Sequence, residues 1–260
     1  MSLPVTPGGS MRVRSARRLS AGSFVPLLLI AANVFADAAA RAEVQIGLCA
    51  PADHIVHALD ARPRGRPIDV WQFDDAALTL AARGVRLRLR VTEGGRSELT
   101  LKVADQDCKR LDASLLRRGE GKCEYDAYGA GMTRTVSLTR RLNAKSTSDL
   151  LAGRERVQQV LSPSQIGYLR EVRGIWPLPP GVGRLGPMRV QLYRTPDGRH
   201  DIDISELPGG ERYAEISGKG QAADVDRLRQ EMMGAVTRAG VEVCADQSSQ
   251  AVNKLRALQK

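Results

Sequence analysis

Apolar and polar residues alternate with period two in several short stretches, the pattern of a strand buried on one face. In Glu43–Leu48, Glu43, Gln45 and Gly47 oppose Val44, Ile46 and Leu48; in Val85–Val91, Arg86, Arg88 and Arg90 oppose Val85, Leu87, Leu89 and Val91. Glu98, Thr100 and Lys102 oppose Leu99, Leu101 and Val103, and Lys122, Glu124 and Asp126 alternate with Cys123 and Tyr125. Further along, Arg189, Gln191 and Tyr193 oppose Val190 and Leu192, Asp201 and Asp203 oppose Ile202 and Ile204, and Glu215, Ser217 and Lys219 oppose Ala214 and Ile216.

Between these stretches the period changes to that of a helix. Helices are predicted over Pro51–Arg62, Asp75–Arg83, Ser148–Leu161 and Ala222–Ala239, the last with Val225, Leu228, Met232 and Val236 on one face and Gly240 as its stop. The Pro/Gly-rich stretch Pro177–Pro187 reads as a long loop, and no internal repeat stands out.

Two architectures accommodate charged faces of this kind. An open antiparallel sheet would turn them to water, whereas a closed sheet with helices on its apolar outside would turn them into a wet interior. The segregation of sign, with one strand carrying only arginine and others mixing acid and base, is a feature that a solvated face does not need.

The N-terminus adds an address. Arg12, Arg14, Arg17 and Arg18 precede an apolar run from Phe24 to Phe35, followed by small residues that offer cleavage after Ala38 or Ala42. Met11 is an alternative start, and an uncleaved membrane anchor is the alternative to cleavage. The organisation expected is a signal peptide over 1–42 and one domain over 43–260, periplasmic or secreted, with no stable membrane span after cleavage. Removal of 1–42, which holds five arginines and one aspartate, leaves 218 residues and lowers the formal charge from +10 to +6. That balance favours anionic ligands without naming one.

Four cysteines in an exported chain with no C-x-x-C pair favour disulfides over zinc. Cys108 and Cys123 flank one connection between strand-like segments, which favours pairing them and leaves Cys49 with Cys244, although three connectivities are open. Aromatics at 4% argue against a base-stacking nucleic-acid surface, and no nucleic-acid partner is expected. His54 and His57 stand at i, i+3, a spacing that by itself does not make a metal site, and no nucleophile elbow, P-loop or dinucleotide fingerprint is present.

The central stretch carries a specific likeness. Phe73-Asp74-Asp75, then Gly84-Val-Arg-Leu-Arg-Leu-Arg90, then Glu98-Leu-Thr-Leu-Lys102 resembles the CYTH, or triphosphate tunnel metalloenzyme, superfamily. Lys122-Cys-Glu-Tyr-Asp126 resembles that family's basic-x-acidic-x-acidic strand, and Ala214–Lys219 its closing acidic strand. The resemblance implies an α+β fold: a closed or nearly closed antiparallel eight-stranded β-barrel, a tunnel with helices packed outside. It further implies that Arg88, Arg90, Lys102, Lys122 and Arg189, with Lys219 in second rank, hold a triphosphate or polyphosphate anion. Glu43, Glu124, Asp126, Asp203 and Glu215 are the implied carboxylates for Mg²⁺ or Mn²⁺, with Ser205 an alternative to Asp203, and Glu124 and Glu215 are the implied catalytic residues. Arginine offers a planar fork to phosphate oxygens, and hard divalent ions take oxygen ligands.

The chain also departs from that pattern. The opening Glu-x-Glu-x-Lys reads Glu43-x-Gln45-x-Gly47, and Ser217 stands where a second carboxylate is usual. Two readings follow from the sequence: a metal-dependent triphosphatase, or a non-catalytic phosphate-anion-binding or structural protein that has kept the barrel and lost its metal site.

Overall fold

In the computed structural model, which describes residues 40–94 and 96–259, the alternating stretches become strands of one sheet that closes on itself. The expected signal peptide lies outside the described residues, apart from Ala40–Ala42. In chain order the elements are β1 (Arg41–Leu48), α1 (Ala52–Ala58), β2 (Arg62–Pro63), β3 (Ile68–Asp74), α2 (Thr79–Ala82), β4 (Val85–Thr92) and β5 (Ser97–Ala104). There follow α3 (Ala113–Arg117), β6 (Gly121–Tyr128), β7 (Gly131–Leu142), α4 (Ala144–Leu151) and α5 (Pro163–Arg173). The chain ends with β8 (Gly183–Arg194), β9 (His200–Glu206), β10 (Arg212–Gln221), α6 (Val225–Arg238) and α7 (Gln250–Ala257).

Around the barrel the order is β8-β3-β4-β5-β7-β6-β1-β10-β9, and β9 returns to β8. The short β2 extends the β3 edge along the far end of β8. The tunnel therefore has nine strands rather than the eight expected. All its ladders are antiparallel except β1 against β6, where Glu43 stands opposite Asp126. The extra strand is β7, whose inward positions are Thr135, Ser137 and Thr139 rather than charges, so it lacks the charged alternation of its neighbours.

The helical expectations shift in ways with local causes. The stretch Ser148–Leu161 is not one helix: α4 ends at Leu151, and Gly153, at φ +74°, turns the chain into a short 3-10 turn. The unforeseen α5 starts at a capping box in which Ser162 and Gln165 bond each other's backbone N–H, with Pro163 in the first turn. The expected loop Pro177–Pro187 runs into β8 at Gly183. The last long helix ends as expected, with Gly240 at φ +67° just beyond it.

Two apolar layers clothe the outside of the barrel. Leu87, Leu89, Leu99, Leu101, Val136 and Leu138 pack against Leu150, Leu169 and Ile175. Val44, Ile46, Ile202 and Ile216 pack against Ile55, Met232 and Val236. Gln165 is buried between α5 and the sheet, where its amide donates to the carbonyls of Leu99 (3.1 Å) and Leu138 (3.0 Å), fixing the helix on the barrel. Among the described residues no helix is long and apolar enough to cross a membrane.

Both favoured disulfides are formed, Cys49–Cys244 across 195 residues and Cys108–Cys123 across 15. Closing the shorter loop restricts the unfolded chain, so replacing Cys108 and Cys123 with serine is expected to lower stability by about 3 kcal/mol. Denaturant titration checks this, and an unchanged midpoint would show that the bond does not constrain the unfolded chain.

Candidate functional site

The polar interior follows from the pleat. Because successive residues of a strand face opposite ways, the apolar outer faces leave the alternate positions to line a cavity of about 390 Å³ along the barrel axis. Arg86, Arg88 and Arg90 enter it from β4, Glu98, Thr100 and Lys102 from β5, and Lys122 and Glu124 from β6. Opposite stand Glu43 and Gln45 of β1, Glu215, Ser217 and Lys219 of β10, and Asp201, Asp203 and Ser205 of β9. Cations thus concentrate on one wall and carboxylates on the other.

Three carboxylates converge where β1 meets β6. One oxygen from each of Glu43, Glu124 and Asp126 lies within 4.8 Å of the others. Each also has a lysine partner: Lys219 lies 3.6 Å from Glu43, Lys122 pairs with Glu124, and Lys102 lies 2.6 Å from Asp126. Asp126 is fully buried. Its Oδ2 accepts from Thr135 (3.0 Å) and lies 3.7 Å from Arg86, while its Oδ1 is buried with no well-formed hydrogen bond among the described residues, the Tyr128 hydroxyl being its polar neighbour. Burial pushes the Asp126 carboxyl up, but Lys102, Arg86 and Thr135 together hold it below its ordinary value.

On the cationic wall the arginines crowd one another. Burial, then Arg90 and Arg86, push the Arg88 guanidinium well below its usual range, and burial lowers Lys102 in spite of its Asp126 partner. Among the described residues Arg88 and Arg90 form no ion pair or hydrogen bond. On the far wall burial raises Asp203 and pushes Glu215 up to about 7, with further repulsion between these carboxylates and Glu43. Lys254 opposes both rises.

Of the residues singled out in the sequence, Arg88, Arg90, Lys102, Lys122, Lys219, Glu43, Glu124, Asp203 and Glu215 all line the cavity, and Asp126 lies in the carboxylate cluster beside it. Both Asp203 and its alternative Ser205 face inward, as residues two apart on a strand must. Arg189 is not brought to the site. On β8 it is Met188, Val190 and Leu192 that face the cavity, so Arg189 points outward, 65% exposed and 3.7 Å from Asp69.

Three cations that line the cavity, Arg64, Arg86 and Lys254, were not among the expected site residues. Arg86 was legible as part of the arginine strand. Lys254 arrives from α7, only 9% exposed, and nothing in a helical stretch of that composition distinguishes a lysine that faces a cavity from one that faces water. The histidines His54 and His57 lie on α1 outside the barrel, both exposed, with His54 Nε2 3.3 Å from the Gly240 carbonyl.

No family model and no curated protein matches the chain. Solved structures do. HpAC1 from Hippeastrum, an adenylyl cyclase candidate with a dominant triphosphatase activity, superimposes at TM-score 0.55 and 18% identity over 82% of this chain and 94% of its own. An adenylate cyclase candidate from Bacillus halodurans does so at TM-score 0.51 and 12% identity, over 81% and 96%. At such identities the likeness is one of fold.

The raised carboxyl of Glu215 yields a pH prediction. The stability that its neutral form contributes is full below its ordinary value of 4.5 and is lost as pH rises through about 7. Glu215→Gln has no charge to develop, so from pH 4 to pH 8 in metal-free buffer it should gain on the order of 3 kcal/mol relative to the parent. Parallel denaturant midpoints at the two pH values check this; a constant difference would show that Glu215 ionises as it does in water.

Proposed function

We propose that this chain, which has the tunnel fold of the triphosphate tunnel (CYTH) proteins, binds triphosphate or polyphosphate anions inside its barrel and hydrolyses the phosphoanhydride with a divalent metal. The observation that carries the reading is the pair Arg88 and Arg90, two cavity-facing guanidiniums that form no ion pair or hydrogen bond among the described residues, with Asp203, Glu43 and Glu98 facing them only from farther off. Enclosed cations without a counter-charge in direct contact are costly, and a chain of phosphate oxygens supplies that contact in the bidentate geometry that arginine prefers. Lys102 and Lys122 extend the same wall, and Lys254 adds a cation from the opposite direction.

The carboxylate cluster fits a hard divalent ion. Glu43, Glu124 and Asp126 offer converging oxygens, and Asp126 Oδ1 has no well-formed hydrogen bond among the described residues. Glu215 and Asp203, paired across β9 and β10, supply further oxygens on the same wall. Mg²⁺ or Mn²⁺ bound there would neutralise phosphate charge and favour attack by water. The chain's own part is placement: the arginines fix the phosphates against one wall, Asp126 orients Lys102, and Glu124 and Glu215 face the reacting end.

A second reading, a binding protein without catalysis, is favoured by one feature. Every member of the carboxylate cluster already has a lysine partner, and the neutral Gln45 and Ser217 pair with each other across β1 and β10 where the family pattern has carboxylates. The HpAC1 activity favours hydrolysis. Export is part of the proposal. Cleavage after Ala38 leaves β1 whole, whereas cleavage after Ala42 removes Arg41 and the buried Ala42 from it, so the earlier site is the one proposed.

Tripolyphosphate with Mg²⁺ or Mn²⁺, monitored for phosphate release, separates the two readings. Hydrolysis should fall by at least about a hundredfold in Glu124→Gln if that carboxylate acts on the reacting end. With no release by the parent, calorimetry should still show salt-sensitive tripolyphosphate binding that weakens by about a hundredfold in Arg88→Ala/Arg90→Ala, each arginine contributing a charge-assisted bond. Absence of both release and binding removes the anion-binding reading.

A further inference from the structure

The two ends of the tunnel are unlike. At one rim stand Lys122, Lys219 and Arg64, with side chains 48%, 63% and 52% exposed. Across the other lies the segment that follows α6, including α7, and the chain anchors it at both ends.

The first anchor is on β1. Cys244 is bonded to Cys49, its N–H donates to the Gly47 carbonyl (3.0 Å), and Val243 bridges Leu48. Three residues later the Gln247 amide accepts from the Gly47 N–H (2.9 Å) and donates to the Gly47 carbonyl (3.0 Å), taking the place of a strand partner. Gly47 also leaves room for the start of α7: a Cβ there would lie 2.5 Å from Gln250 Nε2, so that side chain would have to shift. The glycine that departs from the family's lysine is thus the seat of the C-terminal segment. The second anchor is beyond β3, where Gln259 donates to the carbonyls of Asp75 (3.0 Å) and Ala76 (3.1 Å).

In a ring of nine strands β1 and β3 are four steps apart one way and five the other, so the segment crosses a diameter of the barrel. Between its anchors, Ala251 and the buried Lys254 line the cavity, and Ala257 and Leu258 pack against the apolar group of Val70, Met188 and Val190.

We propose that the Cys49–Cys244 bond and the Gln247 clamp lock this C-terminal strap shut, making the tunnel blind, so that its ligand is the free end of a linear phosphate chain entering past Lys122 and Lys219. The proposal rests on the anion-binding reading above. In a through-tunnel any internal stretch of a polymer can reach the arginines; in a blind one only a terminus can. The terminal phosphate also carries more charge than an internal one, and Lys254, set at the closed end, receives it where the chain stops. A bond between residues 195 apart holds the strap where noncovalent contacts alone would allow it to open.

The test uses the disulfide-intact full chain and two probes: long linear polyphosphate, and the same polymer capped at both ends as phosphoramidates. Calorimetry should give one protein per free polymer end whatever the chain length. The capped polymer should bind at least about tenfold more weakly in tripolyphosphate-competable binding, and recover in Cys49→Ser/Cys244→Ser. Equal competable binding of both polymers, or a stoichiometry that grows with chain length, overturns the proposal.

Hydrogen exchange reads the strap without any ligand. Amides of residues 247–259 should exchange at least about tenfold faster in Cys49→Ser/Cys244→Ser and in Gln247→Ala, while β4 and β5 keep their protection. Unchanged exchange in both variants overturns the lock. Failure of every phosphate probe to bind, with the exchange change present, strikes the anion-binding reading and leaves the strap's lock standing.

Discussion

Closure of the sheet is the constraint on which the rest depends. Once β9 returns to β8, every second residue of nine strands is committed to an interior that is mostly polar, with an apolar group only where β3 and β8 meet the C-terminal segment. An open sheet could turn the same arginines to bulk water at no cost. Inside a barrel they share a confined space whose walls exclude most of that water, and charge has to be balanced locally. The outer apolar layers under α5 and α6 supply the burial that maintains this arrangement.

Balance is reached unevenly. Where β1, β5, β6 and β10 carry both signs, lysine and carboxylate neutralise each other: Lys102 with Asp126, Lys122 with Glu124, Lys219 with Glu43. On β4, Arg88 and Arg90 form no ion pair among the described residues, although Glu98 stands across from Arg90. The same interior therefore contains a region paired at close range and one that is not, and the anion-binding reading rests on the second. A divalent ion bound in the first would have to compete with ammonium groups, which would make metal occupancy and lysine position two sides of one equilibrium.

Much of this was legible in the sequence because it is written in period two. The arginines of β4 and the alternation of β5, β6, β9 and β10 placed most of the lining residues before any coordinates did. What escaped notice has physical reasons. In β7 hydroxyls stand in for charges, so its inward face resembles a polar turn. Arg189 satisfies the alternation as well as any tunnel residue, but parity shows only that neighbours face opposite ways. Which way is settled by Met188 and Val190, whose apolar side chains meet α7 inside the mouth. Lys254 belongs to a helix, where a three-to-four residue period marks a buried face without saying what that face touches.

The one parallel ladder bears on how the molecule comes into being. The first strand of the domain lies between β6 and β10, so neither of its edges finds a neighbour until far more of the polypeptide has been made, and the second neighbour is the last strand of all. Until then the β6 edge is a bare row of hydrogen-bonding groups, open to strays. Assembly of this barrel is governed by contacts distant along the chain, which makes it a slow folder whose half-built forms need shelter from one another.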